Sequence, residues 1–237
     1  ITQEIDYLNK KYFEGIDVFV HLAAHSANQP YDNLTNCLKY NLIKPLNLLN
    51  SAFDAGVNKF IIIGSCFEYG LSGEKYENIP ADAPLQPISS YPASKAAAST
   101  AFLQWAIEKN ISMSLLRIFQ IYGEGELSTR LYPSLLKAAL KGENFPMTKG
   151  EQIRDFMSVE DLVAKLLREI DKINSTKEHF IKVQNIGTNS PKSIMEFSKN
   201  IWHKYNAKGK LLFGEIPYRK NEVMRFVPCL KPHFLHK

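Results

Sequence analysis

The sequence predicts an α/β chain built on a parallel sheet, and two observations carry that expectation. Three runs of strand length, Asp17 to Ala24, Phe60 to Ile63 and Ser112 to Phe119, are rich in β-branched, aromatic and aliphatic residues, as expected of strands buried on both faces. Between them lie longer segments, 41–53 and 91–109, whose apolar residues recur at helical spacing. The alternation is that of strand, crossover helix and strand. At 237 residues and 45% hydrophobic content, the chain can bury a substantial core as one large or two small domains.

Composition narrows the function classes. The formal charge is +5, with 29 basic and 24 acidic residues interspersed, so there is no block of the kind that binds nucleic acid, and the mild positive field suits an anionic substrate. Cys37, Cys66 and Cys229 are odd in number and far apart, which argues against a disulfide framework or a metal site and for a reducing, cytoplasmic setting. No apolar run approaches the roughly 18 to 20 residues of a membrane helix, and no signal-peptide pattern opens the sequence.

Taken in order, Ile1 to Gly15 reads as a helix leading into the first strand, Asp17 to Ala24. Ala23 and Ala24 end that strand with side chains small enough to let a ligand approach the backbone. Leu42, Ile43, Leu46, Leu49 and Phe53 share a helical face, with Asn41 as a candidate cap, Pro45 early enough to be tolerated and Gly56 placed to end the helix. Ser65 follows Phe60-Ile61-Ile62-Ile63, which puts its hydroxyl at the carboxyl end of a strand, the ligand-binding edge of open α/β sheets. Tyr91-Pro92-Ala93-Ser94-Lys95 opens the next helix, whose Phe102, Trp105 and Ala106 share a face. After the strand 112–119 come the exit Gln120-Ile121-Tyr122-Gly123, a hinge at 123–126 and an apolar helix over 131–140. Ser158 is placed to cap a helix with Asp161 reaching back, and Leu162, Val163, Leu166, Leu167 and Ile170 form its expected buried stripe. Val183 to Gly187 reads as a strand and turn, and Ser193 with Glu196 as a capping box.

The chemistry concentrates at Tyr91, Lys95 and Ser65. With Pro92 in the first helical turn, Tyr91 and Lys95 lie one turn apart on one face. A phenol ionises near pH ~10, but an ammonium about 4 Å away, at an effective dielectric of about 20, favours the phenolate by roughly 4 kcal/mol, or up to about three pKa units before desolvation. That brings the phenol into the range useful for proton transfer. A bare Y-x-x-x-K spacing also arises in helices that carry no site.

The serine at a strand end, the loop with Pro80, Pro84 and Pro87, and the Tyr91/Lys95 pair together resemble the extended short-chain dehydrogenase/reductases, also called the NAD-dependent epimerase/dehydratase family. The resemblance continues through His21-Leu22-Ala23-Ala24, Arg117-Ile118-Phe119-Gln120-Ile121-Tyr122-Gly123, Gly150-Glu151-Gln152-Ile153-Arg154-Asp155-Phe156 and the late loop Ile216 to Val223. It implies a Rossmann-like parallel sheet, truncated at its amino end, with a smaller C-terminal α/β substrate domain. Residues 1–123 would be the remainder of the NAD(P)-binding domain and 124–237 mainly the nucleotide-sugar part, with 183–187 returning to the main sheet. The large departure is that no G-x-x-G-x-x-G turn occurs.

The resemblance also implies roles. Ser65, Tyr91 and Lys95 would be catalytic. Ala23, Ala24, Asn41, Tyr91, Lys95 and Phe119 would meet NAD or NADP, and Gln120, Arg154 and Arg219 a nucleotide-sugar. No metal, nucleic acid or membrane is expected, and a homodimer through helices 41–55 and 91–109 is. The reaction would be hydride transfer at a sugar carbon. Cys66-Phe67 after Ser65, where the family's dehydratases carry Asp-Glu, disfavours dehydration and leaves a 4-keto-deoxysugar reductase, the preferred reading, or a 4-epimerase. A catalytically inactive member that serves as a binding or partner subunit is the further alternative.

Overall fold

The computed structural model describes residues 10–219 and 222–236. Most of the helix expected over Ile1 to Gly15 lies outside the described residues; what is described there is a 3-10 turn at Lys10–Tyr12. Strand β1 (Phe19–His21) leads through a polar loop into one continuous helical run: α1 (Leu34–Leu38), a π-helical turn at Lys39–Ile43, and α2 (Lys44–Asp54). There follow β2 (Lys59–Ser65), 3-10 turns at Cys66–Tyr69 and Leu71–Lys75, α3 (Ser90–Lys109), β3 (Ser112–Ile118) and β4 (Gln120–Tyr122). The remainder comprises α4 (Leu131–Lys141), β5 (Phe145–Met147), β6 (Ile153–Arg154), β7 (Phe156–Ser158), α5 (Val159–Ser175), β8 (Ile181–Ile186), β9 (Lys192–Ser193), α6 (Ile194–Lys204), β10 (Leu211–Phe213), β11 (Arg225–Phe226) and β12 (His233–His236).

The main sheet runs in the order β1-β2-β3-β8-β12, parallel throughout except for β12, which is antiparallel to β8. Because side chains alternate along β2, Phe60 and Ile62 pack with Leu48, Leu49, Ala52, Phe102, Trp105 and Ala106 under α2 and α3, while Ile61 faces the opposite core, lined by Ile173 of α5, Phe180 and Ile186. Two covered faces explain why the strand runs lack polar alternation. The short sheets β5-β10 and β4-β7 contribute to a separate core of Leu135, Phe197 and Ile201, where the Phe156 and Phe197 rings stack at 4.0 Å, and a third short sheet runs in the order β11-β6-β9.

Three local readings are corrected. The helix expected to open at Asn41 opens at Leu34, with Asn33 accepting the Asn36 N–H at 2.9 Å as its cap. Only Cys37 of α1 is buried, so that helix carries no apolar stripe from which its start could be read. In α5, Val163 and Leu167 are exposed, 48% and 56%, while Leu162, Leu166 and Ile170 pack against the sheet core and Ile173 is buried. At about 100° per residue, 162, 166, 170 and 173 fall on one narrow stripe and 163 and 167 on its flank. Finally, the Ser158 hydroxyl accepts the Asp161 N–H at 3.1 Å, but the Asp161 carboxylate returns to that hydroxyl and not to the main chain.

Candidate active site

Ser65 is the last residue of β2, in register with Ile118 at the carboxyl end of β3. Its hydroxyl accepts the Phe67 N–H at 3.2 Å, which caps the turn that follows and holds the alcohol at the sheet rim. Across from it, α3 starts at Ser90 with Pro92 in its first turn, where a missing N–H costs nothing. Tyr91 and Lys95 are both buried, on the inward face of α3. The Tyr91 phenol lies beside the Ser65 hydroxyl, close enough for that hydroxyl to favour its ionisation. Two side chains 26 positions apart in the sequence therefore meet at one point of the rim.

Lys95 is arranged differently from the expectation. Its ammonium donates to the Ile63 carbonyl at 2.7 Å. Burial of the phenol, against the opposing help of Ser65, raises Tyr91 to about 12, and Cys66, Glu68 and Tyr31 push in the same direction as burial. The expected depression by Lys95 is therefore not what this arrangement gives: desolvation sets the direction of the shift, and the ammonium points to the main chain of β2. Burial also lowers Lys95 itself, with Glu68 opposing. His21, buried and facing the Lys95 charge, falls to about 4 and is a neutral core residue.

β1 stops at His21, short of the expected end at Ala24, and Ala23 and Ala24 lie exposed in the loop that follows it. Asn41 is buried in the π-helical turn and fully engaged: it accepts the His25 N–H at 2.6 Å and donates to the His25 carbonyl at 3.1 Å and to Ser94 Oγ at 2.9 Å. It ties the loop after β1 to α3, and it is not a helix cap. The Phe119 ring is buried between Tyr69 and Phe226, which leaves its main chain as the part that could meet a ligand. Gln120 lies beside it on β4, partly exposed and paired with Phe156.

The arginines arrive from the smaller sheets and the late loop. Arg154 of β6 donates to Glu222 Oε1 at 3.2 Å and to the Val223 carbonyl at 2.7 Å, so it holds the late loop, and its charge acts on Cys66 next to Ser65. Arg219 is exposed and donates to Gln29 Oε1 at 3.2 Å. Sequence reasoning missed two neighbours. Tyr31 lays its ring 5.6 Å from that of Tyr91, under the charges of Arg130 and Arg219, and Arg130, the residue before α4, donates to Asn28 Oδ1 at 3.0 Å. Neither sits in a patterned segment, so spacing could not have singled them out. Among the described residues no group of three or more His, Cys, Asp or Glu could hold a metal, and no helix is long and apolar enough to cross a membrane.

Comparison with known proteins places this geometry in context. The model of the NAD dependent epimerase/dehydratase family matches residues 3–187. A UDP-glucose 4-epimerase of Lactobacillus helveticus is 28% identical over 212 residues, covering 79% of this chain and 62% of the relative. A dTDP-D-glucose 4,6-dehydratase of Mus musculus is 26% identical over 196 residues, covering 79% and 52%. The chain thus spans about half to three-fifths of these relatives. Among solved structures, MoeE5 in complex with UDP-glucuronic acid and NAD superposes with a TM-score of 0.81 at 25% identity, covering 98% of this chain and 76% of that one. A UDP-glucose 4-epimerase of Thermotoga maritima with UDP-glucose gives 0.80 at 23% identity, covering 97% and 75%. The parallel-dominated α/β architecture is shared with both.

Proposed function

Since the chain belongs to the NAD dependent epimerase/dehydratase family, we propose that it is an NAD(P)-dependent enzyme acting at a sugar carbon of a nucleotide-activated sugar. The observation that supports this reading is the meeting of the Ser65 hydroxyl and the Tyr91 phenol at the carboxyl rim of the sheet, with Lys95 one turn along α3. When bound, a nicotinamide dinucleotide supplies or accepts the hydride. The residues fit its ribose end: the Lys95 ammonium has three N–H donors, and Ile63 takes one of them. The exposed Ala23 and Ala24 allow close approach to the main chain just after β1.

Ser65 donates a hydrogen bond to the reacting sugar oxygen, and Tyr91 exchanges the proton of that oxygen. Arg154 and Arg219 pair with the anionic nucleotide part, for which a guanidinium fork suits phosphate oxygens, and Gln120 contacts the sugar. Within this reading we favour reduction of a 4-keto-deoxysugar. A phenol that burial keeps protonated is ready to give its proton to a keto oxygen. Cys66, buried with its thiol pushed up to about 12, and the apolar Phe67 offer no acid/base pair for elimination. A 4-epimerase uses the same three residues and is the second reading, supported by the 4-epimerases among the relatives.

Calorimetric titration with NAD(H) and with a nucleoside diphosphate, followed by turnover on 4-keto and 4-hydroxy nucleotide sugars, tests the proposal. Binding of both with turnover is expected. Binding of the nucleotide alone, without turnover, would contradict it and favour a binding subunit.

A further inference from the structure

Glu68 is fully buried three residues after Ser65, and both of its oxygens are engaged. Oε1 accepts the Ser65 N–H at 2.7 Å, and Oε2 accepts the Arg117 Nε–H and the Ser99 hydroxyl, each at 2.7 Å. These partners belong to three elements: the strand end that bears Ser65, the helix that bears Tyr91 and Lys95, and β3. Ser99 lies one turn beyond Lys95 on α3. Gly64 makes the space, since a Cβ there would stand 2.8 Å from Glu68 Oε1 and 3.0 Å from Arg117 Cγ.

The charged and titratable groups around this carboxylate are few. Arg117 faces it from β3, itself bonded to the Tyr69 phenol at 3.0 Å and the Ala81 carbonyl at 2.9 Å. Lys95 and Tyr91 face it from α3, Cys66 from its own turn, and His21 faces Lys95 from β1. A buried ion pair is a weak device for stability alone, because the cost of desolvating two charges is close to the gain from their attraction.

We infer that Glu68 is a positioning residue of the site: one carboxylate oxygen fixes the main chain of Ser65 at the strand end, and the other ties that turn to Ser99 on the helix of Tyr91 and Lys95 and to Arg117 of β3. The inference rests on the roles proposed above for Ser65, Tyr91 and Lys95. Its electrostatic consequence follows by sign. An anion stabilises the charged form of Lys95 and destabilises a Tyr91 phenolate, so its removal lowers the ionisation midpoint of both groups.

The test is the pH titration of the Lys95 side-chain carbon resonances in the free chain, assigned with Lys95→Met and repeated in Glu68→Gln. Glutamine keeps an acceptor for the Ser65 N–H and removes the charge. The midpoint is expected to fall by at least about 0.5 pH unit, in the direction set by the loss of an opposite charge. Should the unpaired Arg117 prevent folding, Glu68→Gln is read in an Arg117→Met background against Arg117→Met alone, where the only charge removed is the Glu68 carboxylate and the midpoint is again expected to fall. An unchanged midpoint in either folded variant overturns the assignment, while the proposed function stands if Tyr91→Phe is inactive. Turnover that survives Tyr91→Phe overturns the functional reading, and the role of Glu68 with it, whatever the midpoint does.

Discussion

The Lys95 ammonium donates to the Ile63 carbonyl at 2.7 Å, two residues before Ser65 on the same strand. That bond ties α3 to β2 beneath the rim, so the spacing of the Tyr91 phenol from the Ser65 alcohol is set by a buried contact between the elements that carry them. It also explains the protonated phenol: the cation is turned toward the strand, and burial decides the direction of the Tyr91 shift.

Lys95→Met should therefore separate two properties. Removal of the ammonium is expected to weaken NAD(H) binding about tenfold or more, the scale of one charge-assisted contact, while leaving nucleoside diphosphate affinity unchanged. Calorimetry on both ligands checks this, and equal losses for the two would mean that the helix had shifted.

His21 supplies a pH prediction. Burial, then the Lys95 charge, lowers its folded pKa from 6.5 to about 4, so between these values the unfolded chain binds more protons. The stabilisation is complete above about pH 6.5 and is lost as pH falls toward 4. Chemical denaturation at pH 7 and at pH 4.5 should show a loss larger by about 2 kcal/mol in the parent chain than in His21→Gln. Equal losses would contradict a neutral, buried imidazole.

Arg154 joins two segments that are remote in sequence, through Glu222 and the Val223 carbonyl. Arg154→Lys keeps the charge and loses the planar fork, so affinity for a nucleoside diphosphate should fall about tenfold. Binding at the parental affinity would remove Arg154 from the proposed substrate site.

What could be read from the sequence follows physical lines. Strands buried on both faces announce themselves as apolar runs, and Tyr91-Pro92-Ala93-Ser94-Lys95 announces a helix start, because proline restricts where a helix can begin. The opening of the first helical run at Leu34 was hidden because α1 turns only Cys37 inward. Val163 and Leu167 have the composition of core residues yet stand exposed, because residue type alone does not tell the centre of a helix face from its flank. Glu68 was legible in principle: Ser65 and Glu68 form a capping box, a local signal that three residues suffice to show. Its contacts with Arg117 and Ser99, and those of Tyr31 with Tyr91, come from packing across separate elements and leave no periodic trace.

The most direct test of the central claim, that Ser65, Tyr91 and Lys95 form one reacting centre, is single-turnover hydride transfer, followed by nicotinamide absorbance, in the parent chain and in Tyr91→Phe. The phenylalanine variant should fold, bind a nucleoside diphosphate as the parent does, and transfer hydride at least about 100-fold more slowly, the usual scale of a lost proton-transfer group. Equal rates in the two proteins would contradict the account.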